Sequence, residues 1–319
     1  IFHTNSKELW DLVNSIVPFN RYTNSPVANY HGELYNLPFN MHTFRQMWGV
    51  VTPAEAEAKI AEQRAEALAA LNGREPHNLE EQALCLVGRD IYERLIKGYT
   101  EKQWGRPCTE LPAFIIRRLP VRMVYDNNYF DDAYQGIPIG GYNRLIEGLL
   151  DGVDTVVNAD FFADRDKWTS MADMVVFTGK IDEYYDYRFG RLEYRTVRFD
   201  TQVMDTANYQ GNAVINYTDR DTPYTRIIEH KHFESFGQAV YDNPKTVISR
   251  EYSTEWGEGM EPFYPVNDQR NMLLYQQYQQ LASQETRVIF GGRLAQYRYY
   301  DMAPIMEEAI RQAAKCNEV

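Results

Sequence analysis

Val288-Ile-Phe-Gly-Gly-Arg-Leu-Ala-Gln-Tyr-Arg-Tyr-Tyr-Asp-Met302 decides how the fold of this chain is read. Its apolar run predicts a short buried strand that stops at the pair Gly291-Gly292. Arg293 and a tyrosine-rich segment follow, and a helix is expected from about Ala303. A strand, bare glycine backbone and a helix start are how α/β proteins bring main chain close to a phosphate or a cofactor ring. Folds that bind a dinucleotide in this way usually carry a Gly-x-Gly-x-x-Gly fingerprint. None stands in these 319 residues.

Working outward, Met174-Val-Val-Phe-Thr-Gly179 is a second buried-strand run, ending in Thr-Gly as parallel strands often do. Gly140-Gly141 precedes a short helix at Tyr142 to Leu150, and Val153 to Val157 reads as a short strand. Ser6 is placed to cap a helix through Leu9, Leu12, Val13 and Ile16 that Pro18 ends. Val27 to Leu37 reads as a hairpin turning at His31-Gly32. Thr52-Pro53-Ala54-Glu55 opens a helix that stops at Asn72-Gly73, and a second helical block spans about Asn78 to Gly98. From Leu192 to Tyr252 the pattern alternates with β-branched and aromatic residues, which predicts an antiparallel sheet. Asn267 to Ser283 is helical. The order is therefore α/β, helical insert, α/β, antiparallel sheet, α/β: one α/β domain with two insertions, and a site between them would be typical.

The net charge of −12 argues against nucleic acid as a partner, because that needs a basic footprint. No apolar run approaches the length of a membrane span, and Ile1-Phe-His-Thr-Asn-Ser lacks the features of a signal peptide. Three dispersed cysteines without a Cys-x-x-Cys fit a reducing, cytoplasmic setting. Arginine far outnumbers lysine. Its planar fork matches diphosphate oxygens, although a GC-rich coding bias gives the same skew.

Tyrosine is over-represented at 24 copies. Tyrosines beside Arg or Asn, such as Tyr129, Tyr224, Tyr297, Tyr299 and Tyr300, suit stacking on bases and bonding to phosphate oxygens; core packing is the plainer role for most of them. The pair Arg117-Arg118 in an apolar, proline-bracketed segment needs an anion or a buried carboxylate. Arg226 in Tyr224-Thr-Arg-Ile-Ile-Glu-His-Lys-His-Phe233 needs the same. His230 and His232 would share one strand face, half of a metal site, but no third ligand stands at a recognisable spacing, so no metal is expected. No Gly-x-Ser-x-Gly, P-loop or His-Glu-x-x-His is present.

Several longer blocks carry a resemblance: Ile1-Phe-His-Thr-Asn5, Asn20-Arg-Tyr-Thr-Asn-Ser-Pro26, Asn36-Leu-Pro-Phe-Asn40, Lys97-Gly-Tyr-Thr-Glu-Lys-Gln-Trp-Gly105, Asp126-Asn-Asn-Tyr-Phe130, Gln135-Gly-Ile-Pro138, the Tyr224 to Phe233 block, Tyr264-Pro-Val-Asn267, and Gly291-Gly-Arg293 with Tyr299-Tyr-Asp-Met302. End to end, the chain resembles bacterial UDP-galactopyranose mutases. The resemblance implies an FAD enzyme that interconverts UDP-galactopyranose and UDP-galactofuranose, supplying galactofuranose for cell-surface polysaccharide. In that family the flavin must be reduced, and its N5 is thought to displace UDP from the anomeric carbon before the ring opens and recloses.

By the same resemblance Arg118 and Arg226 bind the diphosphate and, with His3, form the catalytic set. Tyr129, Tyr264 and Tyr299 contact the diphosphate, and Tyr99 stacks on uracil. Trp104 sits on a mobile substrate loop, and Asn24 and Asn216 face the substrate. His3, Gly292, Arg293, Asp301 and Met302 lie at the flavin. The implied domains are an incomplete Rossmann-like FAD-binding domain (1–18, 136–187, 285–319), a helical subdomain with the loop (43–118), and an antiparallel-sheet substrate domain (19–42, 119–135, 188–284). A cytoplasmic homodimer meeting through the helical subdomain is expected.

In the family a βαβ unit with the Gly-rich fingerprint precedes the segment that starts here at Ile1. If the physical chain starts there, weak FAD binding and little activity are expected, and an inactive UDP-sugar-binding fragment becomes the alternative. An amine-oxidase-like flavin oxidoreductase is the other alternative. The arginines in tyrosine-rich settings suit a diphosphate better than its apolar substrate.

Overall fold

Local capping fixes where the helices start. The Thr52 hydroxyl accepts from the Glu55 N–H at 3.3 Å, and the Glu55 carboxylate accepts from the Thr52 N–H at 2.9 Å, which satisfies two donors at the start of the Pro53–Leu71 helix. Asn72 closes it in the left-handed region. Ser6 accepts from the Leu9 N–H at 3.2 Å and caps the Lys7–Ile16 helix, as its sequence predicts. These elements belong to a computed structural model that describes residues 1–116 and 121–316. The arginines Arg117 and Arg118 lie outside the described residues.

The strands, in chain order, are β1 (Phe2–Thr4), β2 (Val27–Tyr30), β3 (Glu33–Asn36), β4 (Tyr134–Gly136), β5 (Val175–Phe177) and β6 (Tyr194–Met204). They continue with β7 (Val214–Tyr217), β8 (Arg226–Glu229), β9 (Thr246–Glu255), β10 (Tyr264–Pro265) and β11 (Val288–Phe290). The chain forms two units. One comprises Phe19–Gly141 and Val197–Thr254 with Ile1; the other comprises Phe2–Pro18, Tyr142–Thr196 and Glu255–Val319.

The first unit is built on strands in the order β6-β9-β8-β7-β2-β3. β2 and β3 form the expected hairpin, Tyr30 opposite Glu33, with His31 and Gly32 both at positive φ as a tight hairpin turn demands. β7, β8 and β9 pair antiparallel, but β2 runs parallel to β7, with Val27 opposite Ile215. The sheet is therefore mixed, which corrects the expectation of an antiparallel one. Alternation in sequence sets which face a side chain takes, not the direction of a neighbour reached by a long connection. Ala28 and Tyr35 pack with Phe44, Ile60, Leu79, Val87, Ile91 and Tyr92 from the helices Met41–Trp48, Pro53–Leu71 and Leu79–Val87 and the segment after them. A π-helical stretch, Tyr92–Lys97, leads directly into the Gly98–Trp104 helix.

In the second unit β5 and β11 pair in parallel, Val175 opposite Val288 and Phe177 opposite Phe290, as the two apolar runs predict, but the expected burial is not met: Val176 is exposed and all of β11 is half-buried. The Gly291 N–H continues the pairing to Phe177 O at 3.1 Å. β10 pairs antiparallel with the start of β6, Tyr264 opposite Arg195. Ile181, Leu192, Tyr194, Tyr278 and Tyr297 form its core. Tyr35, Tyr92, Tyr194, Tyr278 and Tyr297 are fully buried, so packing claims these five. Residues 153–157 are not a strand. Among the described residues no strand lies beside them to take up their backbone groups, and Val157 is 75% exposed. No helix among the described residues is long and apolar enough to cross a membrane.

Candidate active site

In the first unit, strand register assembles a row of side chains. Asn216 on β7 stands opposite Arg226 on β8, and Arg226 stands opposite Glu251 on β9. Directly opposed residues share one face of a sheet. The Arg226 Nε lies 3.0 Å from Glu251 Oε1, and an Nη of Arg226 donates to the Tyr99 hydroxyl at 2.9 Å. Glu251 is only 8% exposed and accepts from the Thr225 hydroxyl at 2.9 Å, whereas its contact with the Arg226 Nε is an ion pair without hydrogen-bond geometry. A carboxylate this buried needs such partners, and its charge draws the guanidinium to it while the Tyr99 hydroxyl fixes one Nη. The Asn216 Oδ1 is buried with no hydrogen-bond partner among the described residues.

Tyr99 arrives on the Gly98–Trp104 helix. That helix approaches the turn after β7 so closely that a Cβ on Gly98 would lie 2.4 Å from the Thr218 carbonyl oxygen. Trp104 is the last residue of the helix and packs, half-buried, against the helical core, so it sits at a helix end rather than within a loop. A separate loop pairs Asn24 with Tyr129. The Tyr129 N–H donates to Asn24 O at 2.7 Å, and the Gln135 side chain accepts from the Asn24 N–H at 3.0 Å while donating to Asn128 Oδ1 at 2.7 Å.

The second unit carries its own aromatic cluster. Tyr264 and Tyr299 stack with centroids 6.0 Å apart, and the Arg293 guanidinium lies 4.7 Å from the Tyr299 ring centre. Arg293 donates to Phe263 O at 2.8 Å and Tyr300 O at 2.5 Å. It is thus a clamp that ties the segment before Tyr264 to the segment after Tyr299. The Tyr299 hydroxyl donates to Asp301 Oδ1 at 2.8 Å, and partial desolvation of this half-exposed residue together with the Asp301 charge raises its ionisation above the ordinary phenol range. Gly292, two residues past β11 and first in the short Gly292–Ala295 helix, has φ 82°, a backbone that an L side chain rarely adopts. Met302 opens the Met302–Cys316 helix. His3 alternates on β1 between the buried Phe2 and Thr4 and is itself partly exposed.

The profile of the family described as UDP-galactopyranose mutase matches residues 94–299. The chain belongs to that family. It is 39% identical over 317 residues to a Klebsiella pneumoniae protein described as "Probable UDP-galactopyranose mutase", covering 98% of this chain and 79% of that one. It is 38% identical to the dTDP-fucopyranose mutase of Escherichia coli, covering 98% of this chain and 82% of that one. Among solved structures, a reduced UDP-galactopyranose mutase superposes with a TM-score of 0.64 at 12% identity, covering 94% of this chain and 79% of that chain. At that identity the superposition speaks for the fold.

In this member of the UDP-galactopyranose mutase family the sheet gathers Tyr99, Asn216 and Arg226, and the second unit gathers Tyr264, Arg293, Tyr299 and Asp301. Arg118 lies outside the described residues. Sequence reading missed Glu251 and Gln135, which partner Arg226 and Asn24, and Lys102, whose ammonium donates to the Tyr217, Thr222 and Tyr224 carbonyls. The histidines expected on one strand face lie instead in a 3₁₀ turn, His230–Phe233, because β8 ends at Glu229. His230 bonds to the Ser249 hydroxyl at 2.7 Å, and His232 to Asn208 at 3.1 Å. His31, Asp219 and Asp221 bring possible ligand atoms within 4.8 Å of one another, but the Asp219 carboxylate is already used by the Thr222 N–H and hydroxyl.

Proposed function

We propose that this chain interconverts UDP-galactopyranose and UDP-galactofuranose, the six- and five-membered ring forms of one nucleotide sugar. The Tyr99–Arg226–Glu251 set carries this reading. When the anomeric C–O bond breaks, UDP leaves as an anion and must be kept in place to return. A guanidinium fixed by a buried carboxylate stabilises that charge without having to reorganise. Asn216, whose buried amide oxygen faces no described donor, supports a polar ligand group beside it.

On this reading Arg226 and Arg118 hold the diphosphate, with Tyr129, Tyr264 and Tyr299 offering hydroxyls to it. Tyr99 takes the uracil, and Asn24, Asn216 and Trp104 lie on the substrate side. The second unit belongs to a Rossmann-like FAD-binding domain. Its residues fit such a group: parallel β11 ends in bare glycine backbone, where open α/β sheets take their ligands, and the Gly292 position is in the left-handed region. His3, Gly292, Arg293, Asp301 and Met302 would lie along the flavin. When bound and reduced, the flavin supplies a nucleophilic N5 for the anomeric carbon. Arg293, already engaged with two carbonyls, acts by keeping Tyr264 and Tyr299 stacked. A cytoplasmic homodimer belongs to the same reading.

The 38% identity to a dTDP-fucopyranose mutase favours a second substrate, the same ring contraction on a dTDP-linked 6-deoxy sugar. Incubating the chain with FAD, a reductant and each pyranose nucleotide sugar, then separating products by chromatography, tests both. UDP-galactofuranose supports the first reading, and a furanose product from the dTDP-sugar alone supports the second. An oxidised sugar nucleotide, or no furanose from either, refutes the isomerase.

A further inference from the structure

We propose that Lys102 is a positioning residue of this site: its ammonium pins the turn between β7 and β8 to the Gly98–Trp104 helix and thereby fixes Tyr99 against Arg226. The inference rests on the reading of Tyr99 and Arg226 as UDP-binding residues. Lys102 Nζ donates to Tyr217 O at 2.7 Å, Thr222 O at 3.0 Å and Tyr224 O at 3.0 Å. An ammonium has three N–H groups and no acceptor, so three converging carbonyls use it fully. Tyr217 directly follows Asn216, and Tyr224 stands two residues before Arg226, so the clasp grips both legs of the hairpin beside the functional row.

Other contacts of the same helix act in concert. Gly98 allows the helix to press against Thr218 O, where a Cβ would be 2.4 Å away. Glu101 pairs with Arg220 in the turn and accepts from the Cys108 N–H at 3.1 Å. The Ser253 hydroxyl on β9 donates to Gln103 O at 2.6 Å. Lys102 is the member of this set whose charge a modest rise in pH removes.

Burial pulls the Lys102 ammonium down to about 8, with Asp219 acting the other way. Around it, the turn carries Asp219, Arg220 and Asp221, and His31 from the β2–β3 turn stands beside Asp219. Glu101 shares its helix, and on β9 Arg250 lies over the Tyr224 ring while Glu251 holds Arg226. Below pH 8 the ammonium satisfies all three carbonyls. Above it, the neutral amine has two N–H groups and one carbonyl loses its donor, so order at Tyr99 and Arg226 is lost as pH rises.

Calorimetric titration with UDP, at pH 7.0 and 8.5, tests this on the full chain and on Lys102→Met. UDP affinity of the unmodified chain is expected to weaken about fourfold between the two pH values, following the fraction of charged Lys102. Lys102→Met is expected to bind at least about tenfold more weakly at pH 7.0, with little dependence on pH and with a raised KM. A Lys102→Met variant that binds UDP as tightly as the unmodified chain, or keeps its pH dependence, overturns the inference. Should that variant not fold, affinity of the unmodified chain that stays constant from pH 7.0 to 8.5 overturns it alone. Failure of the unmodified chain to bind UDP at all instead marks failure of the functional reading itself.

Discussion

The Tyr99 hydroxyl accepts a hydrogen bond from Arg226 at 2.9 Å, across a sequence separation of 127 residues. Helix and sheet are thus joined at the side chain most suited to a diphosphate. Arg226→Ala should cost up to about 2–5 kcal/mol in kcat/KM, the range for truncating one partner of a buried charge pair, with the partial exposure of Arg226 favouring its lower end. Tyr99→Phe keeps the ring and removes the acceptor, and a hydrogen bond to a charged group is worth about 1.5–3 kcal/mol. The two losses should not add. A double-mutant cycle on kcat/KM is expected to show coupling of at least about 0.5 kcal/mol; additive losses would show that this contact does not matter to the reaction.

Glu251 sets the other side of Arg226. Glu251→Leu leaves the guanidinium with a buried apolar neighbour, and about 1–3 kcal/mol of stability should go; the partial exposure of Arg226 keeps the cost below that of a wholly buried pair. Glu251→Gln retains an acceptor and should keep most of the stability while kcat/KM still falls, because a neutral amide orients Arg226 less firmly. Urea midpoints measured beside kcat/KM separate the two effects. Equal activity in Glu251→Gln and the unmodified chain would remove the orienting role.

Asn216 offers a sharper contrast between stability and function. Its buried Oδ1 has no described partner, and such a group costs about 1–3 kcal/mol in the folded state. Asn216→Leu should therefore leave thermal stability unchanged or raised, and weaken UDP-sugar binding by about tenfold or more. Sites that trade stability for a ligand behave in this way. A clear fall in Tm together with unchanged KM would mean that the amide serves the fold.

Much of this architecture is written locally in the sequence. Thr52-Pro53-Ala54-Glu55 specifies a cap, His31-Gly32 a tight turn, and the apolar runs ending at Gly179 and Gly291 a parallel pair, because each signal lies within a few residues. The row Asn216–Arg226–Glu251 depends on the register of three strands, which alternation alone leaves open. So does the parallel pairing of β2 with β7. Val153 to Val157 carries a local strand signal without a described neighbour to complete it. Lys102 looks like one more solvated helix lysine until the β7–β8 turn closes over it. Supporting residues are the least legible class, since their chemistry is ordinary and only their surroundings are special. Arg118 illustrates the reverse: its segment is unusual enough to single it out by sequence, yet it lies outside the described residues.

Gly292 separates the flavin question from folding. Its φ of 82° makes any L side chain strained there, yet the nearest atom a Cβ would meet is the Thr178 Cβ, at an ordinary 3.5 Å. Gly292→Ala should therefore cost about 1–2 kcal/mol of backbone strain without a steric clash. If this backbone also lies against FAD, the variant should lose more flavin than its small drop in stability explains. The comparison to make is flavin absorbance per chain after gel filtration in added FAD, alongside the thermal midpoint of the FAD-free chain. A proportionate loss of both, or flavin content equal to that of the unmodified chain, would place the cofactor away from the end of β11 and reduce Gly291-Gly292 to a turn between a strand and a helix.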